Sequence, residues 1–365
     1  MPFCRTRCRY CGFYSELLDR HDPAALVDGL KKELSAYPGL DRIWTVYIGG
    51  GSPSALPSEL LLDLVGTLAR TCPKTGEFTV ECNPGQADGD LFKALLDAGV
   101  NRLSMGAQSF NPEDLAVLGR THSVEDVERA VDKARQAGLE NLSLDLIFAV
   151  PGSTLETWER SLKAAIGLAV PHLSAYALTL EPDTALALAV RSGQVAPIDE
   201  DTDRAMYLLA IDRLEVAGLA QYEISNFARP GFQCTHNLGY WYNHPFIGIG
   251  PSAASFRHGR RTRNIGSVQD YLDRMARGVD LHEESEACTP EAWACETAVL
   301  ALRMRTGLDL AGFKATTGLD AEQAFSEPIE RFRRAGLMEI QAGRLRLTAE
   351  GLPIADSILS EFATL

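Results

Sequence analysis

Cys4, Cys8 and Cys11 fall together in the run CRTRCRYC, so three thiols share one short loop. Thiolates bind soft metals and redox centres. A structural zinc site uses four ligands and would need a fourth from a distant histidine. A disulfide would leave one thiol over. The spacing C-x3-C-x2-C offers three thiolates to a cubic [4Fe–4S] cluster and leaves one iron open. An open iron can take the amino and carboxylate groups of S-adenosylmethionine (SAM), whose sulfonium is cleaved by an electron from the cluster. The other cysteines, Cys72, Cys82, Cys234, Cys288 and Cys295, lack tight spacing and are expected as small buried residues. Cys234 stands two residues before His236, either as a second ligand or as a bystander, and the bystander reading is preferred.

The chain has 365 residues and a formal net charge of −14. Such an acidic surface repels phosphate backbones, which argues against nucleic acid as a partner. No apolar run approaches the roughly 18 residues that cross a bilayer. No secretory segment precedes the first cysteine, so a cytoplasmic setting with reduced thiols is expected.

Positioning the loop falls to a repeated strand and helix pattern between residues 23 and 225. Helical periodicity marks Pro23–Tyr37, Ser58–Thr71, Asp88–Ala98, Ser123–Ala137, Leu155–Leu168 and Thr202–Ala217. Apolar runs between them, Ile43–Ile48, Phe78–Cys82, Arg102–Met105, Leu142–Phe148 and Leu173–Leu180, suit parallel strands. The expected fold is α/β, a partial (β/α)6 TIM-like barrel over 1–225, whose chemistry sits at the C-terminal strand ends. Those ends carry Gly49, Gly50, Gly51, Ser52 and Pro53, then Glu81, Gln108, Asp145 and Tyr176. Residues 226–285, rich in aromatics, glycine and histidine, form a connecting segment of weak periodicity. Residues 286–365 resemble a small α+β module of winged-helix type, with LMEIQAGRLRLT as its hairpin.

Cys4-x3-Cys8-x2-Cys11 with Tyr10 before the last cysteine, followed by YIGGGSP, resembles the radical SAM superfamily signature. VECNPG, RLSMGAQSFN, LGRTH, LDLIFAVPG, HLSAYALTLEP, YEISNFARPG and CTHNLGYW follow in order. Together they resemble the family of oxygen-independent coproporphyrinogen III oxidase and the HemW-type heme chaperones. The resemblance implies cluster ligation by the three cysteines and SAM contacts from Tyr10, Phe13 and the Gly49–Pro53 loop, which accepts the SAM amino group. It places Glu81 at the polar end of SAM, Gln108 and Asp145 at the ribose, Arg120 on the carboxylate and Tyr176 near adenine. No catalytic residue is assigned.

Two features favour the chaperones within that family. His236, Asn237, Tyr240 and Trp241 match their H-N-x-x-Y-W motif, which implies heme as a further ligand, with His236 on the iron. Phe13 stands where the oxidases carry a fourth cysteine, and only three residues precede Cys4, where the oxidases have a longer covering segment. The alternative activity is oxidative decarboxylation of coproporphyrinogen III propionates to vinyl groups. A zinc-stabilised, non-catalytic binding protein is the third reading. Implied partners are a heme-acceptor protein, including a membrane-bound one at the inner face, and a flavodoxin or ferredoxin-type electron donor.

The basic run Arg257, Arg260, Arg261 and Arg263 is either a propionate site or a solvated loop. Three departures from the family stand out. MPFC replaces LYIHIPFC, so the first barrel strand is expected to be mostly absent and the cysteine loop anchored on one side only. Ala254 stands at the family's A-G-A-H histidine. LPGQ has become Val150–Pro151–Gly152–Ser153.

Overall fold

The strands Thr45–Ile48, Glu77–Cys82, Arg102–Gln108, Leu142–Phe148 and His172–Ala177 lie side by side and all parallel. The computed structural model that shows this describes residues 1–86 and 88–365. The helices Ser58–Thr71, Gly89–Asp97, Val124–Gln136, Leu155–Gly167 and Glu200–Val216 follow these strands in turn along the chain. Their starts are set by short polar side chains. Asp88 caps one helix, while Ser123 with Asp126 and Thr154 with Thr157 form capping boxes on two others. Leu103, Met105, Leu142, Leu144 and Leu173 are fully buried in the core that the sheet and its helices share. The alternation therefore folds as expected, with helix ends shifted by one or two residues. The last barrel strand stops at Ala177, short of the expected Leu180.

The parallel sheet does not close. On the His172–Ala177 side it continues with two short antiparallel strands, Asn226–Ala228 and then Ala220–Gln221. On the other side, the strand Thr45–Ile48 is covered by a seven-residue helix, Thr235–Trp241. This helix was not expected, because its glycine and aromatics give little periodicity. Glu77, buried in the neighbouring strand, supplies the missing cap: its carboxylate accepts the backbone N–H of Thr235 at 2.9 Å and of His236 at 2.8 Å.

The start of the chain corrects the expectation of one-sided anchoring. Phe3–Cys4 pairs in parallel with Glu16–Leu17. The Gly51 N–H donates to the Met1 carbonyl at 2.6 Å and the Ser52 N–H to the Phe3 carbonyl at 2.7 Å. Further along the cysteine loop, the Arg9 N–H donates to the Leu118 carbonyl at 3.0 Å, and the Arg9 carbonyl accepts from Leu186 N–H at 2.8 Å. The loop is thus fixed at both ends.

Residues 226–285 also hold more structure than their weak periodicity indicated. Ala254–Arg257, Arg260–Asn264 and His282–Ala287 form an antiparallel sheet, with the helix Val268–Arg277 between the last two strands along the chain. The run expected as a solvated loop or a propionate site is therefore a hairpin, and its arginines are engaged. Arg261 pairs with Glu296, Arg263 with Glu284, Arg260 bonds Ser285, and Arg257 lies over the Tyr37 ring. Beyond it come the helices Pro290–Leu302, Leu310–Thr317 and Ser326–Arg334, then the hairpin Met338–Gln341 with Arg344–Leu347. Among the described residues no helix is long and apolar enough to cross a membrane.

One buried carboxylate fastens the middle segment to the barrel. Glu33, on the helix Pro23–Ser35, is 3% exposed. It accepts from the Gly250 N–H at 2.7 Å, the Asn264 side chain at 2.7 Å and the Tyr271 hydroxyl at 2.6 Å. Charge-assisted hydrogen bonds of this kind contribute about 1.5–3 kcal/mol each, and orphaned donors add a penalty. Glu33→Ala is expected to lower unfolding free energy by roughly 3 kcal/mol or more, and Tyr271→Phe by about 1–2 kcal/mol. Urea denaturation followed by circular dichroism measures both, and equal stability of Glu33→Ala and the parent would refute the tether.

Candidate functional site

The C-terminal ends of the parallel strands open into a cavity of about 610 Å³. Cys4, Cys8 and Cys11 stand in its wall as free thiols. Tyr10 lines the cavity and packs against the small apolar cluster of Leu118, Ile147 and Val150, which pins the cysteine loop from beneath. Gly50, Gly51 and Ser52 face the same space, whereas Gly49 and Pro53 stand behind the wall. A Cβ on Gly51 would lie 2.6 Å from the Phe3 carbonyl oxygen, so only glycine lets the two backbones meet there. Phe13 is 75% exposed at the rim.

Glu81, Gln108, Arg120, Asp145 and Tyr176 all line the cavity. Gln108 gets there by a register shift at the end of its strand and a left-handed backbone, φ 65°. Such a conformation costs a non-glycine residue about 1–3 kcal/mol and recurs at functional sites. Arg120 follows a helix, Pro112–Leu118, that begins at the cap Asn111 and ends at Gly119 with φ 72°. A Cβ at Gly119 would lie 2.8 Å from Arg9 Cγ. The glycine therefore both ends the helix and admits the cysteine loop.

The Arg120 guanidinium donates to Cys8 Sγ at 3.3 Å, to Asn83 Oδ1 at 2.6 Å and to the Gly106 carbonyl at 2.9 Å. Its Nε is buried with no partner. Glu81 accepts from the Tyr47 hydroxyl at 2.8 Å and the Gly50 N–H at 3.2 Å. Asp145 accepts from Ser104 Oγ at 3.1 Å. Burial pushes both carboxyls above the usual carboxylate range, against the pull of these hydrogen bonds. Burial also raises the Cys4 and Cys11 thiols. Metal binding must overcome that rise by displacing their protons.

This donor set fits a [4Fe–4S] cluster with SAM. It combines three free thiols on a loop held at both ends, a glycine backbone open to close approach, and a guanidinium with an orphaned donor. Among the described residues no three His, Cys, Asp or Glu side chains converge on one point as ligands of a single ion would. A cubane does not require it, since each thiolate holds a different iron.

The four residues of the H-N-x-x-Y-W motif are divided by the structure. Asn237 lines the three-cysteine cavity. His236 does not line that cavity and stacks on Tyr47, with ring centroids 5.0 Å apart. Both of its ring nitrogens are engaged, Nδ1 with Thr45 Oγ1 and Nε2 with the Tyr240 hydroxyl, each at 2.9 Å. As placed, this imidazole fastens the motif helix to the sheet edge and has no nitrogen to spare. Trp241 lies under the Arg303 guanidinium at 4.9 Å. Cys234 is fully buried, near Glu77, and burial pushes its thiol up to about 11. Cys82 is buried at the cavity wall and raised to about 12, while Cys288 is half-buried rather than buried as expected.

Residues that the sequence patterns did not single out also line the cavity. They include Asn83, which holds Arg120, and Arg102, 2% exposed with its Nε unpartnered. Ser104 and His122 belong with them, and His122 is held down at about 4 by burial. All four lie inside VECNPG, RLSMGAQSFN and LGRTH. The signal was present in the motifs, but not which of their residues face inward.

An unclosed parallel barrel whose strand ends meet three free thiols, a glycine-rich loop and an arginine defines a radical SAM protein. The radical SAM superfamily model matches residues 1–165, and the HemN C-terminal domain model matches residues 288–354. The heme chaperone HemW of Bacillus subtilis is 32% identical, over 99% of this chain and 97% of its own length. HemW of Mycobacterium tuberculosis (strain H37Rv) is 36% identical, over 98% of this chain and 92% of its own. Among solved structures, coproporphyrinogen III oxidase (HemN) from Escherichia coli, a radical SAM enzyme, matches with a TM-score of 0.86 at 21% identity. That match covers 100% of this chain and 88% of the other, and is a likeness of fold. The chain belongs to the HemW family of the radical SAM superfamily.

Two measurements follow from this geometry. Cys4→Ala, Cys8→Ala and Cys11→Ala should each lose the cluster after anaerobic reconstitution, read as bound iron and sulfide, and full loading of any of them would remove that cysteine from the ligand set. The second concerns pH. Burial holds His236 down at about 4 and His172 well below its usual value. The unfolded chain takes up these protons below about 6.5 while the folded chain refuses them, so stability falls as pH drops from 6.5 toward 4. The slope is at most about 1.4 kcal/mol per pH unit for each histidine. His236→Gln should flatten it in urea unfolding between pH 7.5 and 5, and an unchanged slope would refute the assignment.

Proposed function

We propose that this protein is a heme chaperone, which holds heme and passes it to an acceptor protein while carrying a SAM-coordinated [4Fe–4S] cluster. The observation that carries the reading is full-length similarity to proteins named heme chaperone HemW, 32% and 36% identical. The H-N-x-x-Y-W helix supports it, since this helix covers the open sheet edge and reaches the three-cysteine cavity through Asn237.

Cys4, Cys8 and Cys11 hold the cluster, and Arg120 receives the SAM carboxylate, for which its unpartnered Nε is suited. Glu81 meets the polar end of SAM, Gln108 and Asp145 the ribose, and Tyr176 the adenine. Bound there, cluster and SAM together supply one-electron cleavage of a carbon–sulfur bond. The electron comes from a flavodoxin or ferredoxin-type donor. The acceptor is met in the cytoplasm or at the inner face of the membrane, with the C-terminal module as the protein-contacting part.

The second reading is oxygen-independent coproporphyrinogen III oxidase, since VECNPG, RLSMGAQSFN and LGRTH resemble the family that contains it. Against it, Phe13 occupies the fourth cysteine position and stands exposed at the rim.

An anaerobic titration of the cluster-reconstituted protein with heme should saturate near about one heme per chain in its visible absorbance. Coproporphyrinogen III with SAM and a reductant should give no protoporphyrinogen. Absence of saturable binding refutes the chaperone reading, and turnover of the porphyrinogen moves the assignment to the oxidase.

A further inference from the structure

The motif helix has a second cavity on its far side, of about 370 Å³, separate from the three-cysteine cavity. That is within the roughly 300–1,000 Å³ of small-molecule sites. Tyr240 and Phe246 form one wall, their rings edge to face at 4.8 Å. Val299 and Leu300, from the helix Pro290–Leu302, form the opposite wall. Arg261 and Glu296 border it as an ion pair.

His244 stands in this wall, exposed, on a turn that is fixed from several directions. Its backbone N–H donates to the Gly239 carbonyl at 2.9 Å. Asn243 adopts φ 53°, donates its N–H to the Tyr240 carbonyl at 2.9 Å, and donates through its side chain to Thr297 at 3.0 Å. Pro245 follows and restricts the exit. The imidazole itself makes no hydrogen bond or ion pair with another side chain among the described residues; it lies beside the exposed Tyr242 ring, with centroids 5.7 Å apart. A rigid backbone thus presents a free imidazole at the edge of an aromatic and aliphatic pocket.

The chemistry of such a site selects its ligand. One imidazole cannot hold a bare transition-metal ion, which needs three or four protein ligands. It suffices for a metal whose equatorial positions are already filled, because only an axial ligand is then missing. The apolar lining of Tyr240, Phe246, Val299 and Leu300 suits the hydrophobic body of a macrocycle. Arg261 is already neutralised by Glu296, so the carboxylates of the ligand are left to the open side. A half-open pocket also leaves an edge of the ligand available for transfer.

We propose that heme is bound in the pocket between Tyr240, Phe246 and Leu300 with His244 as its axial ligand, while His236 positions the helix that forms the wall. The proposal rests on the chaperone reading and adds the pocket and the ligating residue. Asn237 and Tyr240 then place one seven-residue helix between the SAM cavity and the heme pocket.

The test uses the full-length, cluster-reconstituted protein and ferric heme. Electron paramagnetic resonance reads the heme, because the oxidised [4Fe–4S] cluster is silent. His244→Ala is expected to lose the histidine-ligated signal and to bind heme at least roughly tenfold more weakly. Added imidazole should restore the signal in that variant. Leu300→Trp, which fills the pocket without touching a ligand, should weaken binding by a similar factor. If the parent binds heme but His244→Ala keeps both affinity and signal, the proposal is overturned and the chaperone reading stands. If the parent binds no heme, both fall together.

Discussion

A parallel sheet that does not close into a full barrel has two unpaired edges, and this molecule is organised around how they are covered. Unpaired backbone donors and acceptors at an edge invite water or another chain. One edge is continued by short antiparallel strands, Asn226–Ala228 and Ala220–Gln221. Beside the other, the Met1–Cys4 segment binds the glycine loop at the top and the motif helix packs against Thr45 and Tyr47. Residues of the candidate site are therefore also edge covers. The cysteine loop and the H-N-x-x-Y-W helix are brought near one another because both close the same side.

Buried carboxylates divide into two kinds in this arrangement. Glu33 and Glu77 are fully used by backbone and side-chain donors, and they hold residues 226–285 against the barrel. Glu81 and Asp145 face the cavity and are pushed up by burial. The first kind offsets its desolvation inside the protein. The second still has room for ligand donors at its oxygens, which is what a binding site requires.

Arg120 joins these layers. It holds Cys8 and the floor of the cavity through Asn83 and Gly106, yet keeps a buried nitrogen unpartnered. The motif helix has a corresponding place between two cavities, with Asn237 toward one and Tyr240 toward the other. Positioning and binding are thus performed by the same short elements.

The sequence by itself determined the alternating strands and helices, the three-thiol loop, and the strand ends that carry Glu81, Gln108, Asp145 and Tyr176. These are local features, set by hydrophobic period, capping residues and spacing within a few positions. Legibility ended where contacts are distant in the chain. Nothing near residue 235 announces a helix, because Glu77 caps it from another strand. Nothing in the motif shows that His236 spends both ring nitrogens on Thr45 and Tyr240, or that the basic hairpin is neutralised by Glu284 and Glu296. The anchoring of the cysteine loop at Leu118 and Leu186 was equally hidden. Those outcomes belong to the tertiary structure, because a hydrogen bond or ion pair between segments depends on which surfaces burial has already brought together.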